Sequence, residues 1–260
     1  MKNELLFGDC IKKMKVIPDN HVDGVITSPP YNFGYNPLHQ AKGHKLSKLY
    51  KTFHDNMTNE EYLDFSLQVF RNYERVVKDK GVVCYVMGYS SKNASLPFQV
   101  VKHIEENTHF ILADTIVWKK KSSYPLQTSP THLSRICEFI FVFVHRDYKN
   151  TFITNKEKGK INKNTGQQFY KHYTNIIEAR NNDGIRSTLN VTFSVDLVKQ
   201  IIDIYFPEDY LILDSFMGVG TTPVACTKSN RKYIGIEIER EYFNIAENLL
   251  DKKSHGKFWD

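Results

Sequence analysis

Short apolar runs alternate along the chain with amphipathic segments, and this alternation predicts the order of secondary structure. The apolar runs predict strands at 5–7, 22–26, 82–87, 111–118, 136–144, 210–214 and 233–237. The amphipathic segments predict helices at 10–16, 98–106, 195–205, 221–228 and 241–250, with a longer helix from Asn59 that is expected to end at Lys80-Gly81. Strands that alternate with helices favour an α/β fold with a mostly parallel, doubly wound sheet covered on both faces.

Length and composition narrow the class of protein. The 260 residues allow one large α/β domain with an inserted segment, and the apolar and charged fractions are those of a soluble globular protein. The longest apolar run, 136–144, is too short to cross a membrane, so no membrane partner is expected. Four scattered cysteines without a C-x-x-C pair fit a reducing, cytoplasmic location and argue against a disulfide framework or a metal site.

Positive charge is concentrated in one part of the chain. The net charge of the protein is +6, and residues 146–186 carry nine Lys or Arg against four Asp or Glu, a net of +5. A basic segment of this kind indicates a polyanionic partner. On charge alone, a solvated surface insertion is an equally good interpretation.

The predicted strand 22–26 runs into the unusual sequence T-S-P-P-Y, residues 27–31. Two consecutive prolines stiffen the backbone, so they hold one carbonyl and one aromatic ring in fixed positions. Taken alone, the motif favours a stiff polar turn with no chemical role.

A second motif, D-S-F-M-G-V-G-T-T, begins at the end of the predicted strand 210–214. Gly218 and Gly220 allow a tight turn and a close approach of the backbone to a ligand. The next strand ends at Glu237, which can accept hydrogen bonds from both ribose hydroxyls of a nucleoside. The nicotinamide motif G-x-G-x-x-G fails because Pro223 replaces its third glycine. Taken alone, the motif and Glu237 indicate a nucleotide-like ligand on a doubly wound sheet, and a plain glycine turn with a surface glutamate is the alternative interpretation.

Together, T-S-P-P-Y (27–31) and F-M-G-V-G-T-T (216–222) resemble the two motifs of the amino-directed, S-adenosylmethionine-dependent DNA methyltransferases. The catalytic motif precedes the cofactor motif, which is the circularly permuted order of the beta class. The resemblance extends from Gly8 to about Leu250, apart from the basic segment, and implies a Rossmann-like methyltransferase fold.

The resemblance also implies a domain organisation and a set of partners. Residues 1–145 and 187–260 are expected to form the catalytic domain, and 146–186 are the candidate target-recognition insertion. S-adenosylmethionine is the expected cofactor and double-stranded DNA the expected substrate, with base flipping to expose the target. A cognate restriction endonuclease and a homodimer are left open as partners.

Roles for individual residues follow from the same resemblance. The Ser28 hydroxyl and the Pro29 carbonyl, kept rigid by Pro30, are expected to accept hydrogen bonds from the target amine, and Tyr31 is expected to stack on the base. Ser28 is thus a hydrogen-bonding residue and not a nucleophile. Ser215 replaces the proline that the family usually carries in its cofactor motif. The residues expected to bind the cofactor are Asp9, Asp214, Phe216, Gly218, Gly220, Thr221, Thr222 and Glu237.

Ser28 bears on the identity of the target base. Family members that act on adenine N6 mostly carry Asp or Asn here, whereas those that act on cytosine N4 mostly carry Ser, so the resemblance favours cytosine N4 over adenine N6. Cytosine C5 chemistry needs a cysteine thiolate, usually from a Pro-Cys pair, and no cysteine in this chain follows a proline. Methylation of RNA and an inactive nucleic-acid-binding module on the same scaffold are the remaining alternatives.

Two basic stretches are expected to contact DNA phosphates, one in the insertion and one at the end of strand 111–118, where a plain solvated loop is an equally open interpretation. Their residues are Lys119, Lys120, Lys121, Lys156, Lys158, Lys160, Lys163, Arg180 and Arg186. The sequence R-I-C-E (135–138) resembles a further family pattern at the start of a strand. Glu138 is expected there either to orient the catalytic loop or to be a plain charge at a strand entry.

Overall fold

The computed structural model describes residues 3–33, 55–91, 93–122, 130–183 and 193–254. The strands are β1 (Glu4–Phe7), β2 (Val22–Thr27), β3 (Val77–Met87), β4 (Phe110–Lys120), β5 (Cys137–His145), β6 (Lys158–Ile161), β7 (Gln168–Tyr170), β8 (Ile176–Ala179), β9 (Leu211–Asp214) and β10 (Lys232–Glu237). The helices are α1 (Cys10–Met14), α2 (Asn59–Val76), α3 (Leu96–Asn107), α4 (Val195–Tyr205), α5 (Thr221–Lys228) and α6 (Arg240–Ser254).

Eight strands form the central sheet, in the order β1-β10-β9-β2-β3-β5-β4-β8. β5 is antiparallel to both of its neighbours, and the other neighbouring pairs are parallel. Strands in the middle of the sheet are buried on both faces, as in β3, where every residue from Val82 to Met87 is buried. The predicted mostly parallel α/β fold is confirmed.

Helices cover both faces of this sheet. On one face, α1, α2 and α3 form an apolar core with the sheet, in which the ring centroid of Phe70 lies between 4.9 and 5.7 Å from four other aromatic rings. On the other face, α4 and α5 form a second apolar core with the sheet, and α6 packs beside α5. Within the described ranges, no helix is long and apolar enough to cross a membrane.

The strand order reverses once, between β2 and β9. From β2 the chain continues through α2 to β3 on one side, and from β9 it continues through α5 to β10 on the other. A crevice opens beyond the carboxyl ends of the strands at such a reversal, where ligands bind in sheets of this type. T-S-P-P-Y leaves β2 and the glycine motif leaves β9, so the fold brings both motifs to this crevice.

The helix that begins at Asn59 ends earlier than predicted. It starts at a capping box, in which Thr58 and Glu61 exchange hydrogen bonds, but it stops at Val76 instead of at Lys80-Gly81. Val77 already has extended torsions and pairs with Val22 of β2. Pairing with β2 buries Val77 and so overrides the helical pattern of the sequence.

The basic segment contains three strands that its weak pattern did not predict. β6 and β7 form a separate antiparallel ribbon, whereas β8 pairs with β4 at the edge of the central sheet. Ile177 and Ala179 are buried there and their neighbours are exposed, which is the period of two expected for such a strand. The boundaries 146–186 for an insertion stay a prediction, and β8 ties this segment to the sheet.

Candidate active site

A direct hydrogen bond joins the two motifs at their strand ends. Thr27, the last residue of β2, donates from its hydroxyl to Oδ1 of Asp214, the last residue of β9, over 2.7 Å. The same oxygen accepts from the Phe216 amide at 3.1 Å. Burial raises the pKa of the Asp214 carboxyl to about 6, although the hydroxyls of Thr222 and Thr27 oppose this effect. The base of the crevice is therefore a buried polar contact between the motifs.

Ser215 extends this contact to α2. Its hydroxyl hydrogen-bonds the hydroxyl of Tyr73 and lies 3.5 Å from Thr27 Oγ1. Tyr73 is fully buried, so its hydroxyl needs a partner inside the protein. The serine that replaces the usual proline thus links the cofactor motif to the helix that packs over it.

A chain of hydrogen bonds leads from T-S-P-P-Y to β5 and β4. Ser28 Oγ donates to the Tyr31 hydroxyl at 2.7 Å, and that hydroxyl donates to Glu138 Oε2 at 2.9 Å. The other oxygen of Glu138 is paired with Lys120 Nζ. Burial, followed by the charge of Glu138, raises the pKa of Tyr31 well above its usual value, so the phenol keeps its proton.

The ring of Tyr31 lies against a glycine at the end of β3. A Cβ on Gly88 would lie 2.8 and 2.9 Å from two ring carbons of Tyr31, and 3.2 Å from the ring of Phe33. Phe33 itself packs edge-on against Tyr31 with 5.3 Å between the ring centroids. The ring can occupy this position because residue 88 has no side chain.

Three further side chains hold the backbone of the motif. The Tyr62 hydroxyl, on α2, donates to the Pro30 carbonyl at 2.6 Å. Asn32 has a left-handed φ of 56°, and its side-chain amide both donates to and accepts from the backbone of Met57. Asp55 accepts from the backbone amides of Asn32 and the next residue, and burial raises the pKa of Asp55 to about 6. The loop is therefore fixed on both sides of Tyr31.

The glycine motif forms the turn from β9 into α5. Gly218 and Gly220 have φ values of 55° and 91°, in the left-handed region that favours glycine. A Cβ on Gly218 would meet no described atom within 4 Å, so open space lies beside this backbone. A Cβ on Gly220 would lie 2.9 Å from Ala246 of α6, so this glycine also allows α6 to pack closely.

Glu237 contacts this turn from the end of β10. Its Oε2 accepts from the Gly218 amide at 2.8 Å, and its Oε1 accepts from the Glu239 amide at 2.7 Å. Burial raises the pKa of the Glu237 carboxyl to about 7, although both amides oppose this effect. Each oxygen retains acceptor capacity beyond one amide, so the carboxylate fits a pair of ribose hydroxyls beside the open space at Gly218.

Asp9 lies at the next strand end along the sheet. The amide of Gly8 donates to the Glu237 carbonyl at 2.8 Å, which sets the loop of Asp9 beside the end of β10. The Asp9 carboxylate accepts from the Lys12 amide at 2.9 Å and so caps α1. Its role as a cofactor contact stays a prediction.

The other predicted cofactor residues belong to the turn itself. Phe216 is half-buried, and its ring centroid lies 6.0 Å from that of Phe65 on α2. Thr221 and Thr222 are buried in the first turn of α5. These residues fit S-adenosylmethionine because an apolar ring and a glycine backbone with free space lie on one turn, beside a carboxylate at the end of β10.

The lysines at the end of β4 differ in their contacts. Lys119 Nζ lies 2.6 Å from Glu178 Oε1 on β8, and Lys120 is paired with Glu138. Lys121 is exposed just beyond the strand. Acidic side chains of the protein therefore form ion pairs with two of these three lysines. Contact of any of the three with DNA stays a prediction.

The ribbon of β6 and β7 and its flanks carry exposed positive charge. The exposed lysines are Lys156, Lys158, Lys160 and Lys163. Exposed apolar side chains lie among them, at Ile161, Phe169 and Tyr170. Arg180 is exposed just after β8, and Arg186 lies outside the described residues. The charged and aromatic surface is of the kind that contacts a nucleic-acid backbone and bases.

Sequence reasoning did not single out Tyr62, Asp55 or Gly88 as parts of the site. In the sequence, Tyr62 looks like any other residue on the apolar face of α2. Asp55 and Gly88 belong to no recognisable sequence motif. Asn32 offered one detectable signal, because asparagine is enriched among the non-glycine residues that adopt a left-handed φ.

The fold and the site define a class of protein, a Rossmann-like methyltransferase in which a proline motif and a glycine turn meet at one strand reversal. A family model described as DNA methylase, of the N6 and N4 type, matches residues 22–248. The chain belongs to this family. Membership confirms the predicted amino-directed DNA methyltransferase, with DNA as substrate and S-adenosylmethionine as cofactor.

Relatives are similar over nearly the whole chain. The Type II methyltransferase M.HpaI of Haemophilus parainfluenzae is 26% identical, with 98% of this chain and 76% of the relative covered. The orphan methyltransferase M.BamHII of Bacillus amyloliquefaciens is 26% identical, with 93% and 95% covered. The DNA adenine methyltransferase YhdJ of Escherichia coli K12 is also 26% identical, with 96% and 83% covered.

Solved structures share the fold. The PvuII DNA methyltransferase, cytosine-N4-specific by its title, has a TM-score of 0.70 at 18% identity, with 95% of this chain and 86% of that one covered. A DNA modification methylase of Thermus thermophilus, complexed with S-adenosylmethionine, has a TM-score of 0.63 at 18% identity, with 98% and 96% covered. The Rossmann-like methyltransferase fold is confirmed.

Proposed function

We propose that this protein transfers a methyl group from S-adenosylmethionine to the N4 amine of a cytosine flipped out of double-stranded DNA. The observation that carries the choice of base is Ser28, at the head of the motif that leaves β2 beside the cofactor turn. Members of the family that act on cytosine N4 mostly carry Ser at this position. Members that act on adenine N6 mostly carry Asp or Asn.

The proposed chemistry rests on two hydrogen-bond acceptors. The exocyclic amine of cytosine is a weak nucleophile, because its lone pair is delocalised into the ring. Acceptors placed at its two N–H groups favour a pyramidal nitrogen aimed at the methyl group, and this positioning lowers the barrier without a covalent intermediate.

The contacts of Ser28 and Pro30 support this assignment of acceptors. Ser28 donates its own hydrogen to Tyr31, so its lone pairs are left for an N–H of the base. The Pro30 carbonyl already accepts from Tyr62, which makes the Pro29 carbonyl the better candidate for the second acceptor. Tyr31 would stack on the flipped base and offset part of the few kcal/mol that unstacking costs.

S-adenosylmethionine supplies a methyl group on a positively charged sulfur. Gly218 and Gly220 would hold its methionine part, Glu237 its ribose hydroxyls, and Phe216 and Asp9 its adenine. Thr222 would line the methionine part together with these two glycines, and Asp214 and Thr221 would complete the cofactor site. The open space beside Gly218 and the unused acceptor capacity of Glu237 support this assignment.

DNA would be bound by the ribbon of β6 and β7 and by the basic residues that flank β4 and β8. We propose that the segment 146–186 contributes to target recognition and that the protein acts in the cytoplasm. Type II and orphan methyltransferases both occur among the relatives, so a paired endonuclease and a solitary enzyme are both compatible with this function.

The test is the identity of the methylated nucleoside. Genomic DNA and, in a parallel reaction, total RNA are incubated with the protein and isotopically labelled S-adenosylmethionine, digested to nucleosides and analysed by mass, with Tyr31→Ala as the matched inactive control. We expect labelled N4-methylcytosine. N6-methyladenine alone would overturn the choice of base, and label on RNA but not on DNA would overturn the substrate. DNA binding without any transfer would favour an inactive module.

A further inference from the structure

We infer that Lys120 is a positioning residue for methyl transfer, acting through Glu138 on Tyr31 and Ser28, and not mainly a phosphate contact. This inference rests on the proposed function. Lys120 would fix the orientation of the hydroxyl groups that are proposed to face the base, although a run of three lysines by itself suggests a DNA contact.

The ion pair between Lys120 and Glu138 lies largely inside the protein. Lys120 is paired with Glu138 Oε1 across β4 and β5, and the two side chains are only 18% and 13% exposed. Lys120 Nζ also lies 5.2 Å from the ring centroid of Trp118, on the same face of β4. An ammonium group held by a carboxylate and an aromatic ring has little freedom to reach a phosphate.

The hydrogen bonds that run from Ser28 through Tyr31 to Glu138 have a fixed direction. The Glu138 carboxylate can only accept, so the Tyr31 hydroxyl must use its single hydrogen on Glu138 Oε2 at 2.9 Å. Tyr31 can then only accept from Ser28, whose Oγ lies 2.7 Å away. Ser28 is left with lone pairs alone, which is the form that an amine donor needs.

Lys120 holds Glu138 in place at the end of this series of hydrogen bonds. The ion pair fixes one oxygen of Glu138 and so keeps the other turned toward Tyr31, because a partly buried carboxylate that loses its cation would rotate toward water. If Glu138 turned away, the Tyr31 hydroxyl could donate to Ser28 instead of accepting from it. The Ser28 hydrogen would then point at the target amine, which also carries hydrogens.

Lys119 offers a matched comparison. It is the neighbouring residue on β4 and carries the same charge, but it pairs with Glu178 on β8 and is 49% exposed. Among the residues that the structure describes, neither Lys119 nor Glu178 bonds to the T-S-P-P-Y motif. Loss of Lys119 should therefore act through DNA affinity, whereas loss of Lys120 should act on turnover.

The experiment compares K120M, K120R and K119M in steady-state methyl transfer. We expect K120M to lower kcat by about tenfold or more, with KM for both substrates within about twofold, because the lost interaction is one of positioning. K120R should recover most of kcat by restoring the ion pair. K119M should raise KM for DNA and leave kcat within about twofold.

A second readout does not depend on activity. The protein is labelled with 3-fluorotyrosine, and the ¹⁹F resonance of Tyr31 is assigned from its loss in Tyr31→Phe. We expect this resonance to shift in K120M, to return toward its original position in K120R and to stay in place in K119M. It also reports on misfolding, because a misfolded variant would lose the dispersion of all the tyrosine signals.

The outcomes separate this inference from the proposed function. If the wild-type protein transfers no methyl group, the proposed function fails, and the Tyr31 resonance still decides whether Lys120 positions the tyrosine. The inference is wrong if K120M leaves both the resonance and kcat unchanged, or if K120M and K119M raise KM for DNA equally with no effect on kcat.

Discussion

Thr27 and Asp214 are 187 positions apart in the chain, and their side chains form a buried hydrogen bond of 2.7 Å. This bond joins the last residue of the strand that carries the proline motif to the last residue of the strand that carries the glycine turn. The two motifs are therefore in direct contact in the core of the protein.

Removal of the Thr27 hydroxyl should destabilise the fold. In Thr27→Val the shape is kept, but the buried Asp214 carboxyl loses a donor, so we expect the free energy of unfolding to fall by about 1–3 kcal/mol. Urea unfolding measures this change. Thr27→Ser, which keeps the hydroxyl, should lose clearly less, and equal losses in the two variants would show that the hydrogen bond is unimportant.

The pH dependence of stability should reveal the buried Asp214 carboxyl. Its pKa is about 6 in the folded protein against an ordinary value of 3.8, so folding favours its protonated form. The contribution of this group to stability is therefore present below about pH 4 and is lost as the pH rises to about 6. Glu237 and Asp55 have pKa values raised in the same direction.

Asp214→Asn isolates this contribution. The amide oxygen can still accept from Thr27, and the side chain does not titrate. We expect the stability of the wild type relative to the variant to decrease by up to about 3 kcal/mol as the pH rises through this window. Unfolding free energies measured at several pH values test this, and a difference that stays constant with pH would contradict the assignment.

Gly88 should be required for the position of Tyr31. In Gly88→Ala the new methyl group would overlap the Tyr31 ring, so the ring must move, and we expect kcat to fall by about tenfold or more with cofactor affinity nearly unchanged. Ser91→Ala, at an exposed position a few residues further on, is the control. Full activity of Gly88→Ala would show that the ring is not held as described.

The proline motif and the glycine turn should give opposite kinetic patterns. Pro29→Ala and Tyr31→Ala are expected to reduce turnover far more than cofactor affinity, because these residues are proposed to act on the base. Glu237→Gln should weaken cofactor binding, since it loses acceptor strength toward hydroxyl donors. Calorimetry and steady-state kinetics separate the two, and equal losses of cofactor affinity would count against the assigned roles.

The exposed lysines of the ribbon should control the salt dependence of DNA binding. Changing Lys158, Lys160 and Lys163 to Gln should weaken binding and reduce the slope of log K against log salt by about 0.9 for each phosphate that is no longer neutralised. Lys102→Gln on α3, outside the segment, is the control and should leave the slope unchanged. An unaltered slope in the ribbon variant would show that these lysines do not contact DNA phosphates.

The sequence by itself determined the class of fold and the two motifs of the site. Apolar runs and amphipathic segments predict their elements because side-chain burial follows the period of the backbone, and the prolines and glycines stand where the chain needs unusual local geometry. The motifs were visible because each is contiguous. Ser28, Tyr31 and Gly218 are therefore candidates that need no coordinates, and Glu237 follows as the end of the next predicted strand.

The tertiary structure alone decided which residues meet across the sheet. Val77 is part of a strand because it pairs with β2. Residues 176–179 form an edge strand because they pair with the outer side of β4. The contacts of Lys120 with Glu138, of Thr27 with Asp214 and of Gly88 with Tyr31 join distant parts of the chain. Such contacts depend on strand order and register, which no local pattern encodes, so the same lysine run could be a DNA contact or a support for the active site until the strands were placed.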